Sequence, residues 1–449
     1  MNALVGVTTA LGAKLPSPPV GVVLTAVVLF AVSLPIARRV ARSDGDPRLV
    51  TLLMIALVLH FLGGPAQILV DNHVYHGVSD FTGYVHQGAT LSQNFRSFHF
   101  TIHGAGLRSV LGDGSVSIAA GVVFSLVGVN EVAAFFVFAW FSWLGSIFFY
   151  RAFTLTFPEG GHRRYALMLF LLPSILFWTS DVSKEAIMML ALGVATLGTA
   201  RVLARLRHGY PLILLGVAMG IATRPDEFAI LLAGFTVAMV FRRPDERRQL
   251  RAVRRVGALV FLGMILALTA VLTVKFVHGE NSVTGLLSKA HKNNTGVGAG
   301  FGSSNVSYSP DPLFYPRDIY DVLFDPLPIT ATSITKLLAA GENTVILVLV
   351  LGSLRRLRLT WRTGRERPYV LLCAVYAAIF IYSFAALGNL GLITRERTLL
   401  FPYLLVLLAV PVTAKGEPPQ YPWEQARLSR REKRLAAARA HEFPSRTST

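Results

Sequence analysis

Apolar residues recur in long runs along the chain, separated by short polar or basic stretches. A helix that crosses a membrane takes about 20 apolar residues, within a range of roughly 17–25. Runs near that length predict helices over 20–37, 49–70, 132–153, 256–275, 334–354, 368–388 and 399–414. Shorter runs cover 115–129, 165–179, 186–203, 211–223 and 228–241. The pairs 165–179/186–203 and 211–223/228–241 read as spans or as re-entrant hairpins. Segment 115–129 is followed at once by Asn130 and Glu131 and reads as interfacial or re-entrant. The predicted fold class is all-α: a polytopic integral membrane helix bundle of about 11–12 hydrophobic segments, some short or re-entrant. The bundle takes 1–415, with polar loops over 71–114 and 276–333, and a basic tail occupies 416–449. The first run lacks a basic start and a small-residue cleavage site, so it reads as an anchor, not a removed leader.

Composition agrees with this pattern. Of 449 residues, 53% are hydrophobic and 15% charged, where a soluble domain carries about 25% charged residues. The mean hydropathy is +0.53. A water-soluble enzyme, a disordered chain and a coiled coil are excluded. Cys373 is the single cysteine, so the sequence holds neither an intramolecular disulfide framework nor a cysteine-rich metal site.

The net charge of +18 would point to nucleic acid in a soluble protein. Here its distribution decides otherwise. The segments 38–48, 151–164, 201–209, 242–255, 355–367 and 415–449 hold 31 of the 43 basic residues and 10 of the 25 acidic ones. The remainder of the chain is slightly acidic. Lys and Arg concentrate in cytoplasmic loops, so the excess is topology, with some attraction to anionic lipid, and no nucleic-acid partner is expected. The loops 71–114 and 276–333 then face outside. The Gly-rich run at 296–302 is not a dinucleotide fingerprint, because no strand precedes it and no helix follows.

Four polar groups fall on the outer side. The loop 71–114 carries Asp71, His73, His76, Asp80, Tyr84 and His86. Short turns carry Ser180–Glu185, Thr223–Glu227 and Thr394–Arg397. Each turn alone is explicable as a polar connection, and Glu185 suits the positive start of a helix. Asp71, His73 and His76 could hold a divalent cation at loose spacing; the sequence assigns no cofactor. Together, however, Lys184, Arg224, Arg395 and Arg397 put four cations on a face of otherwise near-zero charge. The guanidinium fork suits phosphate. Asp80 is the lone acid of 72–112 and can accept a proton from an attacking hydroxyl. Tyr84, Glu185, Asp226 and Glu396 stand beside these groups as candidate substrate contacts. No nucleotide-sugar pool exists outside the cytoplasmic membrane, so a phosphate-linked donor there would be carried on a lipid.

Five strings, in order from about 72 to 402, resemble one group of bacterial membrane proteins. They are Ser79-Asp80-Phe81 with Tyr84 and Gly88; LPSILFWTSDVSKEAI at 172–187; Thr223-Arg224-Pro225; the stretch 316–342; and GNLGLITRERTLLFP at 388–402. This order is similar to the GT-C superfamily of polyprenyl-phosphate-sugar-dependent glycosyltransferases and related polysaccharide polymerases. The resemblance implies a lipid-linked sugar donor, a glycan or lipid-linked acceptor, and an acid of the first outer loop, here Asp80, as base. Many members carry two adjacent acids there; Phe81 follows Asp80 in this chain. A transporter or flippase of lipid-linked saccharide would use the same cations on a pyrophosphate, and a non-catalytic membrane scaffold is the third reading. Topology is directly testable. A cysteine at Ser303 should label from outside intact cells and one at Gln249 should not; the reverse pattern inverts the orientation.

Overall fold

The computed structural model describes residues 19–75, 79–102, 104–107, 109–242, 260, 263, 315–331, 334–385 and 390–411. The predicted span 256–275 (apart from 260 and 263), His76, loop residues 276–314 and the tail 412–449 lie outside the described residues. The described chain is an all-α bundle. Its helices are α1 (Pro19–Asp44), α2 (Arg48–Val70), α3 (Asp80–Arg96), α4 (Asp113–Val127), α5 (Glu131–Thr156), α6 (His162–Leu171), α7 (Pro173–Trp178) and α8 (Lys184–Leu203). They continue as α9 (Gly209–Gly220), α10 (Pro225–Phe241), α11 (Tyr315–Phe324), α12 (Ile334–Leu351), α13 (Leu354–Glu366), α14 (Pro368–Phe384), α15 (Leu390–Glu396) and α16 (Phe401–Ala409). Among the described residues four helices, α1, α2, α5 and α8, are long and apolar enough to cross a membrane. On α1, Val20, Val23, Leu24 and Val27 are all exposed, as expected of an element that faces lipid.

Local chemistry sets the boundaries. The Asn130 side chain accepts the Ala133 N–H at 3.0 Å and starts α5, and the Ser183 hydroxyl accepts the Ala186 N–H at 3.3 Å and starts α8. Capping bonds of this kind stabilise a helix by about 1 kcal/mol each. Four predicted elements are corrected, the first being the loop 276–333, which contains the 10-residue helix α11. The run 165–179 is two helices, because Pro173 pushes Leu172 into extended backbone (φ −68°, ψ 120°) and ends α6. The polar loop 71–114 contains the 17-residue helix α3, and the basic loop 355–367 is the 13-residue helix α13. Both helices carry many polar residues, so an apolar-run criterion does not see them.

The interior is organised by α5 and α8. A Cβ on Gly145 of α5 would lie 2.3 Å from the Met189 carbonyl of α8, and one on Gly193 would lie 2.5 Å from the Gly145 carbonyl. Such small-residue contact is how helices associate where no hydrophobic force drives them together. On the other side of α5, the Trp143 indole donates to the Leu53 carbonyl of α2 at 2.9 Å. Helix α2 in turn seats α7: Gln67 donates to the Phe177 carbonyl at 2.7 Å, and a Cβ on Gly63 would lie 2.4 Å from the Leu176 carbonyl. These contacts set the height of the turn 179–183 and hence of the start of α8. Over-packing a tight contact costs roughly 1–3 kcal/mol. Gly145→Val should therefore lower the melting temperature in detergent markedly. Gly21→Ala, whose methyl meets nothing within 4 Å, should change it little. Equal melting of the two variants would show that the α5–α8 contact is not what holds the bundle.

Candidate functional site

Four helices, α3, α4, α8 and α10, start at one end of the bundle, and α15 finishes there. A helix N-terminus carries a partial positive charge that favours acids in its first turn. The first turns here hold Asp80, Asp113, Glu185, and Asp226 with Glu227. Convergence of these four starts is what collects the carboxylates. The turn before α10 is tied to the start of α4: the Gly112 N–H donates to the Ala222 carbonyl at 2.7 Å, and the Ser115 hydroxyl donates to the Thr223 hydroxyl at 3.0 Å. Gly112 has φ +64°, a conformation open to glycine at little steric cost.

The charged groups form three chains that run from solvent inward. In the first, Arg395 bridges two acids, with Nη1 2.7 Å from Asp80 Oδ2 and Nη2 2.8 Å from Glu185 Oε2. The Asp80 side chain is 62% exposed, that of Arg395 18%, and that of Glu185 0%. In the second, Lys184 Nζ lies 2.6 Å from Asp113 Oδ1, and the Tyr84 hydroxyl donates to the same oxygen at 2.6 Å. The third is the deepest. Both Nη atoms of Arg224 donate to the Glu396 carboxylate, Nη1 also lies 3.8 Å from Glu227, and the Tyr376 hydroxyl donates to Glu227 at 2.5 Å.

The electrostatics differ from the cationic patch expected from the sequence. Lys184, Arg224 and Arg395 each have a carboxylate partner, and acids outnumber them once Asp181, Asp226 and Glu227 are included. Burial alone would lower the Arg395 guanidinium, but Glu185, Asp181 and Asp80 together hold it well above its usual value. Burial pushes the Asp181 carboxyl up to about 7, against the pull of Arg395. Burial, and then the hydrogen bond to Asp113, push the Tyr84 hydroxyl far above its ordinary range. Tyr84 is therefore a hydrogen-bond donor and not a base.

The structure brings Asp80, Tyr84, Lys184, Glu185, Arg224, Asp226, Arg395 and Glu396 to this end of the bundle. It does not bring Arg397, which was expected to hold phosphate with Arg395. Arg397 is fully buried. It donates to the Val322 and Leu323 carbonyls at 3.3 and 3.4 Å and to Asn343 Oδ1 at 2.5 Å. Those carbonyls end α11, where a cation is favoured, so Arg397 anchors the 316–342 stretch against α15. Of the loose metal candidates, Asp71 accepts the Ser79 hydroxyl and the His73 ring lies 2.9 Å from the Leu69 carbonyl. No group of three metal-ligating side chains occurs among the described residues. Asp113 is the partner that sequence reasoning missed: a stretch bounded at 112 stops one residue short of it. Its signal was an acid just ahead of an apolar run, the pattern of a helix start. Tyr376, inside the apolar run 368–388, carried no comparable signal.

No family model, curated protein or solved structure matches the chain.

The arrangement offers an exposed carboxylate in contact with a largely buried guanidinium, backed by further acids. Such a pair can accept a proton on one side and hold an anion on the other. Arg397 makes a separate expectation. Its removal orphans buried carbonyl acceptors at about 1–3 kcal/mol each. Arg397→Met should therefore reduce thermal stability and leave the affinity for phosphate-bearing lipid of the folded fraction unchanged. Weakened lipid affinity at unchanged stability would return Arg397 to the phosphate-binding group.

Proposed function

We propose that this chain is a multi-pass glycosyltransferase or polymerase of the bacterial cytoplasmic membrane. It transfers sugar from a polyprenyl-phosphate-linked donor to a cell-envelope glycan at the extracytoplasmic face. The observation that carries this reading is Arg395 held between exposed Asp80 and buried Glu185. The order of motifs from Ser79-Asp80 to Arg395-Glu396-Arg397, the resemblance they carry and the one-sided basic loops support it.

The chemistry follows from an exchange of partners. A donor phosphate that reaches Arg395 competes with Asp80 for the same guanidinium nitrogen. Phosphate takes that hydrogen bond, and the Asp80 carboxylate is released. An ionised carboxylate is acceptor-only, so Asp80 then takes the proton of the acceptor hydroxyl as its oxygen attacks the anomeric carbon. The bond from that carbon to the phosphate oxygen breaks, and polyprenyl phosphate leaves with the electron pair toward Arg395. Fixed cations in a site shielded from water stabilise such a leaving group strongly. Lys184 supplies a second cation once a ligand competes for it with Asp113. Arg224 is saturated by Glu396 and keeps Glu396 and Glu227 in place. Glu185 holds Arg395 from behind, so the guanidinium does not follow the departing phosphate.

A single displacement from the face opposite the phosphate inverts the anomeric centre. Asp80→Asn keeps the shape and removes the base. Turnover should fall at least 10²-fold, while donor binds no more weakly than in the unmodified protein, because the competing carboxylate is gone. Purified protein with a defined polyprenyl-phosphate sugar and a glycan acceptor is the assay. Near-normal turnover in folded Asp80→Asn, or a product of retained configuration, defeats the assignment. Movement of the donor lipid across vesicles with no glycan product assigns the chain to the transporters.

A further inference from the structure

A second set of convergent groups lies at the opposite end of the bundle, on the basic face. Helix α2 has 23 residues, and at 1.5 Å per residue about 35 Å of helix separates its two ends. One end leads to Asp71 and the candidate site. The other, with the α1–α2 turn, the end of α5 and the start of α6, encloses a cavity of about 380 Å³.

The cavity has a charged rim and an apolar wall. Asp44, Asp46, Arg48, Tyr150 and Arg163 line the rim. The acids of this rim are already engaged. Asp44 accepts from Arg151 at 2.8 Å and from the Tyr150 hydroxyl at 2.5 Å. Asp46 Oδ1 accepts the Arg48 backbone N–H at 2.9 Å. Arg48 and Arg163 are both exposed, and no ion pair engages either side chain among the described residues. The rim therefore presents two guanidinium groups that contact no carboxylate, beside Asp46, whose charge is met only by a backbone N–H.

The wall is formed by Leu49 and Leu52 on α2 and by Ala166 and Leu167 on α6. Leu167 lies four residues beyond Arg163, about 6 Å further along the helix axis, and is 41% exposed. Charge at the helix ends with exposed apolar surface one turn deeper is the layout of a membrane interface. A free phosphate would need only the rim. The apolar wall has a use if the anion carries an acyl chain.

We propose that this cavity binds the headgroup of an anionic glycerophospholipid of the cytoplasmic leaflet. Arg48 and Arg163 hold its phosphate, and Leu52, Ala166 and Leu167 seat the first part of an acyl chain. The site is separate from the Asp80–Arg395 cluster and does not rest on the glycosyltransferase reading.

The test uses the full chain in detergent micelles doped with phosphatidylglycerol or phosphatidylcholine, with native mass spectrometry as the readout. One phosphatidylglycerol should stay bound at energies that strip phosphatidylcholine. In R48Q/R163Q, whose two positions are exposed, its retention should fall at least fivefold at unchanged melting temperature. Leu167→Gln keeps both arginines and should also lower retention. Excess glycerol phosphate should not displace the lipid. Retention at the unmodified level in either variant, equal retention of phosphatidylcholine, or displacement by glycerol phosphate overturns the proposal.

Discussion

Backbone touches backbone where α5 crosses α8 at Gly145 and Gly193, and the remaining elements take their positions from that crossing. Helix α8 begins with Lys184 and Glu185, so its seat on α5 sets where those charges stand. Helix α9 packs on the opposite face of α8, where a Cβ on Gly216 would lie 2.5 Å from the Ala191 carbonyl. Through Trp143 the crossing also holds α2, and through Gln67 and Gly63 α2 holds α7. In an apolar surround little but close packing and interhelical hydrogen bonds can do this. A bulky residue at the crossing would be felt at the charged end.

That charged end is an electrostatic compromise. Acids at four helix starts are each favoured by about 0.3–1 kcal/mol. Lys184 and Arg224 stand at two of those same starts and are disfavoured by the same field. They remain because carboxylates from other elements meet them. Removing an ion pair from water costs several kcal/mol per ion, so the buried part of this network is a poor source of stability. Groups kept at such cost mark function more often than structure. The gradient from exposed Asp80 to buried Glu185 sets a direction: the acid nearest water is the one a ligand can displace, and the deeper acid holds the arginine in place.

The two ends of the bundle differ in kind. The end that carries Asp80 and Arg395 gathers carboxylates around a few cations. The basic end leaves Arg48 and Arg163 in contact with no carboxylate over a cavity with leucine walls. In the proposed reading, the first end handles a phosphate that must leave again, so its cations are shared with competing acids. The second holds a phosphate that stays, and its two guanidinium groups are in contact with no carboxylate that the phosphate would have to displace.

Class and principal spans were legible in the sequence, because apolar runs of fixed length follow from the thickness of a bilayer. The runs 20–37, 49–70, 132–153 and 186–203 coincide with α1, α2, α5 and α8 to within a few residues at most ends. The convergence of Asp80, Lys184, Arg224 and Arg395 was legible too, since each lies between segments that return to the same side. Helix α3 was not, because its apolar positions are interspersed with polar ones. Nor was the fate of Arg397. Two residues apart on a helical turn, Arg395 and Arg397 point to opposite sides, and the sequence carries no sign of which side faces the acids. The pairing of Asp113 with Lys184, the backing of Arg395 by Glu185 and the loss of Arg397 to the α11 carbonyls were decided by how the helices pack. A charge pattern along a chain fixes which groups reach one end of a bundle; only the packing of neighbouring helices selects which of them touch.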